Sequence, residues 1–164
     1  MGSRGGADSC QTSFEQSIVV ANTPTAVLDA FFDPRALAIW WKAIRSVTLA
    51  RPLGVYAIEW APSEERDDVL GRLGGVFHGI VMEYEAGHEL LVSDAWWHGP
   101  DGDPIGPMSL EVTCVAEGPA CRLRVRQSGF EEGSRWRRYY EVIGRGWMIS
   151  LSALKQYVEA AGHE

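Results

Sequence analysis

Between Tyr140 and Ala161 an apolar or small residue recurs at steps of 4, 3, 4, 3, 4 and 3: Tyr140, Gly144, Trp147, Leu151, Leu154, Val158 and Ala161. That period marks one face of an α-helix and predicts a helix from about Trp136 to Ala161, with Gly162 as its C-cap. Glu141, Arg145, Ser152, Gln156 and Glu159 fall elsewhere around it. At 1.5 Å per residue such a helix is roughly 39 Å long. Its apolar stripe needs a partner of similar extent, and the preceding chain shows where that partner is.

From about residue 43 to residue 130 the period changes to two. Strands are expected at about 43–50, 54–61, 74–84, 89–97, 107–116 and 121–130, with a first strand from Phe14 to Ala21. Turn chemistry separates them: Pro52-Leu53-Gly54, the polar stretch Pro62–Asp68, Ala86-Gly87, the segment from Gly99 to Pro104, and Gly118-Pro119. Connections this short make an antiparallel meander, because parallel neighbours need crossover helices. The last two strands alternate best. Met108, Leu110, Val112 and Cys114 share one face, and Leu123, Val125 and Gln127 oppose Arg122, Arg124 and Arg126.

Two short helices fall between the first strand and the meander. Thr23-Pro24 and Asp33-Pro34 each read as an N-cap followed by proline at the first helical position. The first helix carries Val27, Leu28, Phe31 and Phe32; the second carries Ala36, Leu37 and Trp40. The reading is therefore an α+β chain, with a curved antiparallel sheet wrapped around a long C-terminal helix. Residues 1–12 read as a flexible tail and 13–164 as one domain.

A straight rod of that length cannot touch a twisted sheet everywhere. A gap is expected at one end, and Gly144 and Gly146 place no side chain where bulk would fill it. Each glycine costs a helix up to about 1 kcal/mol relative to alanine, so space or a close backbone approach is the expected return. Seven tryptophans in 164 residues suit such a gap, because indole rings supply wide rigid walls.

Charge excludes other roles. A net charge of −7 argues against nucleic acid, whose phosphates need concentrated Lys and Arg. No apolar run approaches the roughly 20 residues of a membrane span. Cys10, Cys114 and Cys121 contain no CxxC pair and read as free thiols of a cytoplasmic protein. A Cys114–Cys121 bridge is disfavoured, because the 118–119 turn sets Cys121 opposite Ala116. His78, His88 and His98 are ten apart, a spacing that matches neither helical nor strand metal ligands. No metal and no cofactor is expected.

The segments "NTPTAVLDAFFDPRALAIWW", "LGVYAIEW", "GGVFHGIVMEYEAGHELLVSDAWW", "CRLRVRQSGF" and "GWMISLSALKQYVE" occur in this order between Phe14 and Val158. In that order the chain resembles the SRPBCC (START / birch-pollen-allergen-like) superfamily, and within it the domains named for the activator of the heat-shock-protein-90 ATPase. The resemblance implies a helix-grip fold of strand, two helices, six strands and helix, with a pocket between sheet and C-terminal helix. It departs at Ala86, where the family has proline, and at Gln127, where a histidine is frequent before "GF".

Candidate ligand-binding residues follow from the faces. Trp40 and Trp41 end the second helix at the implied pocket mouth, one as lining and one as shield. Tyr56, Ile58 and Trp60 alternate onto one strand face, assigned inward. Trp96 and Trp97 cannot both face in, and Trp96 is preferred with Asp94, sharing a face with Leu90 and Val92. An inward Asp94 would be a carboxylate of perturbed acidity; the other reading is an edge position in water. His78 is either a pocket acid–base group or an ordinary surface histidine. Leu110, Val125, Trp147 and Leu151 complete the walls, and Gln127 is a polar handle on an apolar face.

The expected function is binding of a small hydrophobic or amphipathic molecule: a lipid, a polyketide or an aromatic metabolite. Two alternatives stay open: a cyclase- or hydrolase-type enzyme using pocket polar groups, and a chaperone-ATPase-stimulating interaction domain. No catalytic motif is present, and homodimerisation is left open.

Overall fold

The computed structural model describes residues 13–129 and 132–162. The expected tail, Cys10 and the strand end at Phe130 lie outside the described residues. The chain opens with β1 (Ser13–Val20), α1 (Pro24–Asp29) and α2 (Pro34–Trp40). Both helices begin as their sequences require. The Thr23 hydroxyl accepts the Ala26 N–H at 3.2 Å, and Asp33 Oδ1 accepts the Arg35 N–H at 3.0 Å.

β2 (Arg45–Thr48) and β3 (Val55–Trp60) follow, then the two-residue strands β4 (Arg66–Asp67) and β5 (Gly71–Arg72). Four long strands complete the sheet: β6 (Gly75–Glu85), β7 (Glu89–His98), β8 (Ile105–Glu117) and β9 (Ala120–Gly129). The main sheet runs β1-β9-β8-β7-β6-β3-β2, and every pairing in it is antiparallel. The meander brings its last strand beside β1, so β1 and β2 form the two edges. Cys121 lies opposite Ala116, as the turn requires, and Cys114 and Cys121 are free thiols.

The connection between the strands expected at 54–61 and 74–84, which begins with the polar stretch Pro62–Asp68, contains the β4–β5 hairpin. Asp67 organises it, its carboxylate accepting the Val69 and Leu70 N–H groups at 3.0 and 2.9 Å. Leu70 is thereby turned inward and buried.

A departure lies in β7. Leu90 and Val92 point into the core, but the register shifts between Val92 and Ala95, and Asp94 takes φ +50°. One extra residue in a strand moves everything after it to the opposite face. Ala95 and Trp97 therefore follow Val92 inward, while Asp94 is exposed and Trp96 lies on the outer face. The expectation of an inward Asp94 and Trp96 is corrected.

The closing helix α3 (Ser134–Ala161) buries Trp136, Tyr139, Tyr140, Trp147, Leu151, Leu154 and Val158. Ala161, the last member of the expected stripe, is exposed. Gly162 caps the helix, its N–H reaching the Val158 carbonyl at 3.2 Å.

Candidate functional site

The two halves of α3 meet the sheet differently. In the C-terminal half Leu151, Leu154 and Val158 join a continuous core with Val20, Val27 and Leu123. In the N-terminal half a cavity of about 350 Å³ lies between helix and sheet and opens to solvent. The glycines divide the same way. A Cβ on Gly144 would touch the Phe14 ring at 3.4 Å, so that glycine serves close packing on β1. A Cβ on Gly146 would meet no atom within 4 Å, and Gly146 lines the cavity.

Each wall comes from a different element. The turn after α2 supplies Trp41 and Lys42; β3 supplies Trp60. The hairpin region contributes Leu70 and Leu73, and the inner faces of β6, β7, β8 and β9 contribute Phe77, Trp97, Leu110 and Gln127. From α3 come Tyr139, Val142, Ile143, Trp147 and Ser150. Trp41 is central to the aromatic wall. Its ring stacks on Trp40 at 4.7 Å and meets Trp60 at 5.3 Å and Trp147 at 4.9 Å.

Three of the four lining indoles, Trp60, Trp97 and Trp147, spend their N–H groups on the protein. Trp60 donates to the Trp41 carbonyl at 2.9 Å and Trp97 to the Gly74 carbonyl at 2.8 Å. Gly74 sits at φ +94°, where a Cβ would strike the Ala61 carbonyl, so this close approach requires glycine. Trp147 Nε1 donates to Gln127 Oε1 at 2.6 Å, and Gln127 Nε2 donates to the Tyr139 hydroxyl at 3.3 Å. Met108 Sδ lies 3.4 Å from the same amide nitrogen and 3.5 Å from the hydroxyl. Burial holds the Tyr139 phenol above its ordinary pKa, so it stays neutral at physiological pH. The network is thus a neutral, internally satisfied polar floor beneath an aromatic wall.

Of the residues singled out in the sequence, Trp41, Trp60, Leu110, Gln127 and Trp147 come together around the cavity. Trp40, Tyr56, Ile58, Val125 and Leu151 are buried on the inner side but belong to the solid core. There Trp40 donates to the Ala30 carbonyl at 2.8 Å and Tyr56 to the Phe31 carbonyl at 2.9 Å.

His78, Asp94 and Trp96 are drawn together on the outer face. Asp94 accepts the Trp96 indole N–H at 3.3 Å. His78 and His98 face each other, Nε2 to Nε2, at 2.8 Å. Desolvation, and then the neighbouring His78, lower the His98 pKa. Trp97, Tyr139, Phe77, Leu70 and Leu73 line the cavity without having been singled out. For Tyr139 the signal was present, since it precedes the stripe residue Tyr140 on the same helix. For Trp97 the bulge hid it.

No carboxylate, imidazole or thiol lines the cavity among the described residues. No group of three or more His, Cys, Asp or Glu side chains there is placed to hold a metal ion.

The family model described as "Activator of Hsp90 ATPase homolog 1-like protein" matches residues 21–159. The chain belongs to this family. The matched span runs from the end of β1 through nearly all of α3, so it contains every element that builds the cavity. No curated protein matches in sequence. Solved structures share the fold. Protein MLL2253 from Mesorhizobium loti superposes with a TM-score of 0.68 at 19% identity, covering 90% of this chain and 97% of that one. Protein CV1439 from Chromobacterium violaceum gives 0.65 at 23% identity, with coverage of 90% and 97%. The Aha1 dimer from Colwellia psychrerythraea gives 0.63 at 14% identity, with coverage of 90% and 96%. These likenesses establish the helix-grip architecture of the family for this chain. No helix among the described residues is long and apolar enough to cross a membrane.

Proposed function

We propose that this family member binds a small hydrophobic or amphipathic molecule in the cavity between the sheet and the N-terminal half of α3. One observation carries the reading: an open space of about 350 Å³, walled by Trp41, Trp60, Trp97 and Trp147, over a polar floor that is already satisfied. A pocket of that kind rewards apolar surface and places few demands on ligand polarity. It also favours binding over catalysis. General acid–base chemistry needs a titrating group within hydrogen-bond reach of the reacting atom; among the described residues no carboxylate, imidazole or thiol lines the cavity to work with Lys42 at its edge, and its floor is the neutral Gln127 and Tyr139.

Titration with a neutral apolar fluorophore such as Nile red tests the proposal. Saturable one-to-one binding by the native protein, with quenching of tryptophan emission, is the expected result. Absence of saturable binding would overturn it.

Self-association is a second proposal. The Colwellia Aha1 structure is of a dimer, and the outer face here exposes Leu53, Val47 and Ile80. Sedimentation equilibrium decides the matter, with a monomer at all concentrations ruling it out.

A further inference from the structure

We propose that the molecule held in the cavity is an amphipathic anion, an apolar body carrying one carboxylate, and that Lys42 receives the charged end. This rests on the cavity reading above and adds the chemistry of the head group.

The Trp60, Trp97 and Trp147 indole N–H groups are bonded to the protein, and the Gln127–Tyr139 floor is internally satisfied. Among the lining groups left unspent are the Lys42 ammonium and the Ser150 hydroxyl, neither of which has a hydrogen-bond partner or counter-ion among the described residues. Both flank the contact between Trp41 and Trp147: Lys42 follows Trp41 directly, and Ser150 lies one turn beyond Trp147 on α3.

Several other cations of the molecule are committed elsewhere. The chain's second lysine, Lys155, donates to the Val19 carbonyl and to Glu159. Around the hairpin, Arg72 is paired with Asp101 and Arg138 with Asp67. Among the described residues Lys42 is the only charged side chain lining the cavity, and no acidic residue accompanies it there.

The backbone adds an independent observation. Lys42 stands at φ +58°, in the left-handed region that residues with a Cβ rarely occupy. Glycine or asparagine would close the turn after α2 with less strain. Strained residues persist where their surroundings over-determine them, and they gather at binding sites. Here the strain holds an ammonium at the rim of an apolar hole.

An apolar wall with a single cation at its edge selects a molecule of matching asymmetry. A neutral hydrocarbon would leave Lys42 unused. A polyanion would find no second charge, and would meet a protein of net charge −7. A monocarboxylate with an aliphatic or aromatic body satisfies both ends, with the Ser150 hydroxyl as a second donor.

Paired probes of equal apolar body test this on the native protein: decanoate against 1-nonanol, and 2-naphthoate against 2-naphthol, followed by tryptophan quenching. Wild type is expected to bind each acid about fivefold more tightly than its alcohol, the scale of a partly exposed charge-assisted pair. Lys42→Gln should bring the acid to the level of the alcohol and leave the alcohol unchanged. Lys42→Arg should keep the preference, and rising salt should erode it. Equal binding of acid and alcohol by wild type, or equal weakening of both in Lys42→Gln, would overturn the charge assignment while the cavity reading stood. Binding of neither class would overturn both.

Discussion

Gly146 is a residue at which helix stability and cavity volume pull in opposite directions. It sits inside α3, where alanine or leucine would stabilise the helix by up to about 1 kcal/mol, yet its Cβ direction is open. Gly146→Leu is therefore expected to raise the thermal midpoint and abolish Nile red binding. Retained binding in the stabilised variant would show that the dye sits elsewhere. Gln127 makes the complementary case. It is 4% exposed, and its side chain satisfies the Trp147 and Tyr139 polar atoms. Gln127→Leu strands a buried indole N–H and is expected to cost about 1–3 kcal/mol in denaturant unfolding. A neutral outcome would mean that water replaces the amide.

Among the elements, the β4–β5 hairpin is held by ion pairs at both ends. Arg138 of α3 meets Asp67 at 2.6 Å, and Arg72 meets Asp101 at 3.1 Å. The Arg138 hydrogen bond, helped by the Leu70 N–H, lowers the Asp67 pKa to about 2. A carboxyl lowered on folding binds fewer protons in the native state than in the unfolded one. Its contribution is complete above the ordinary carboxyl pKa, about 3.9, and fades as pH falls through about 2. Asp67→Asn should flatten the acid limb of the stability curve and speed amide exchange in residues 66–73. An unchanged acid limb would show that the pair contributes nothing measurable. The hairpin also shows where sequence reading stops. Val69, Leu70 and Leu73 are a short apolar signal just after the polar stretch, too brief for a period to register. In β7 alternation predicted the wrong tryptophan, because a bulge at Asp94 depends on the register of both neighbouring strands and leaves no mark in β7 itself.

For the molecule as a whole, a ligand that binds only the folded state stabilises it by mass action. At a hundred times the dissociation constant the gain is about 2.7 kcal/mol. Decanoate should therefore raise the thermal midpoint progressively with concentration, and much less in Gly146→Leu. An equal rise in both would place the ligand outside the cavity. Much of the architecture was legible beforehand, because its signals are local and periodic: the caps at Thr23 and Asp33, the alternation of β8 and β9, and the stripe on α3. These are properties of near neighbours along the chain, so the chain alone determined the elements, their order and the face each buries where no bulge intervenes. Only tertiary packing decided which half of α3 stands off the sheet, which of Trp40 and Trp41 meets the cavity, and that Trp97 rather than Trp96 lies inside. Those outcomes depend on how a straight helix and a twisted, bulged sheet fit in space, and residues distant in sequence set that fit together.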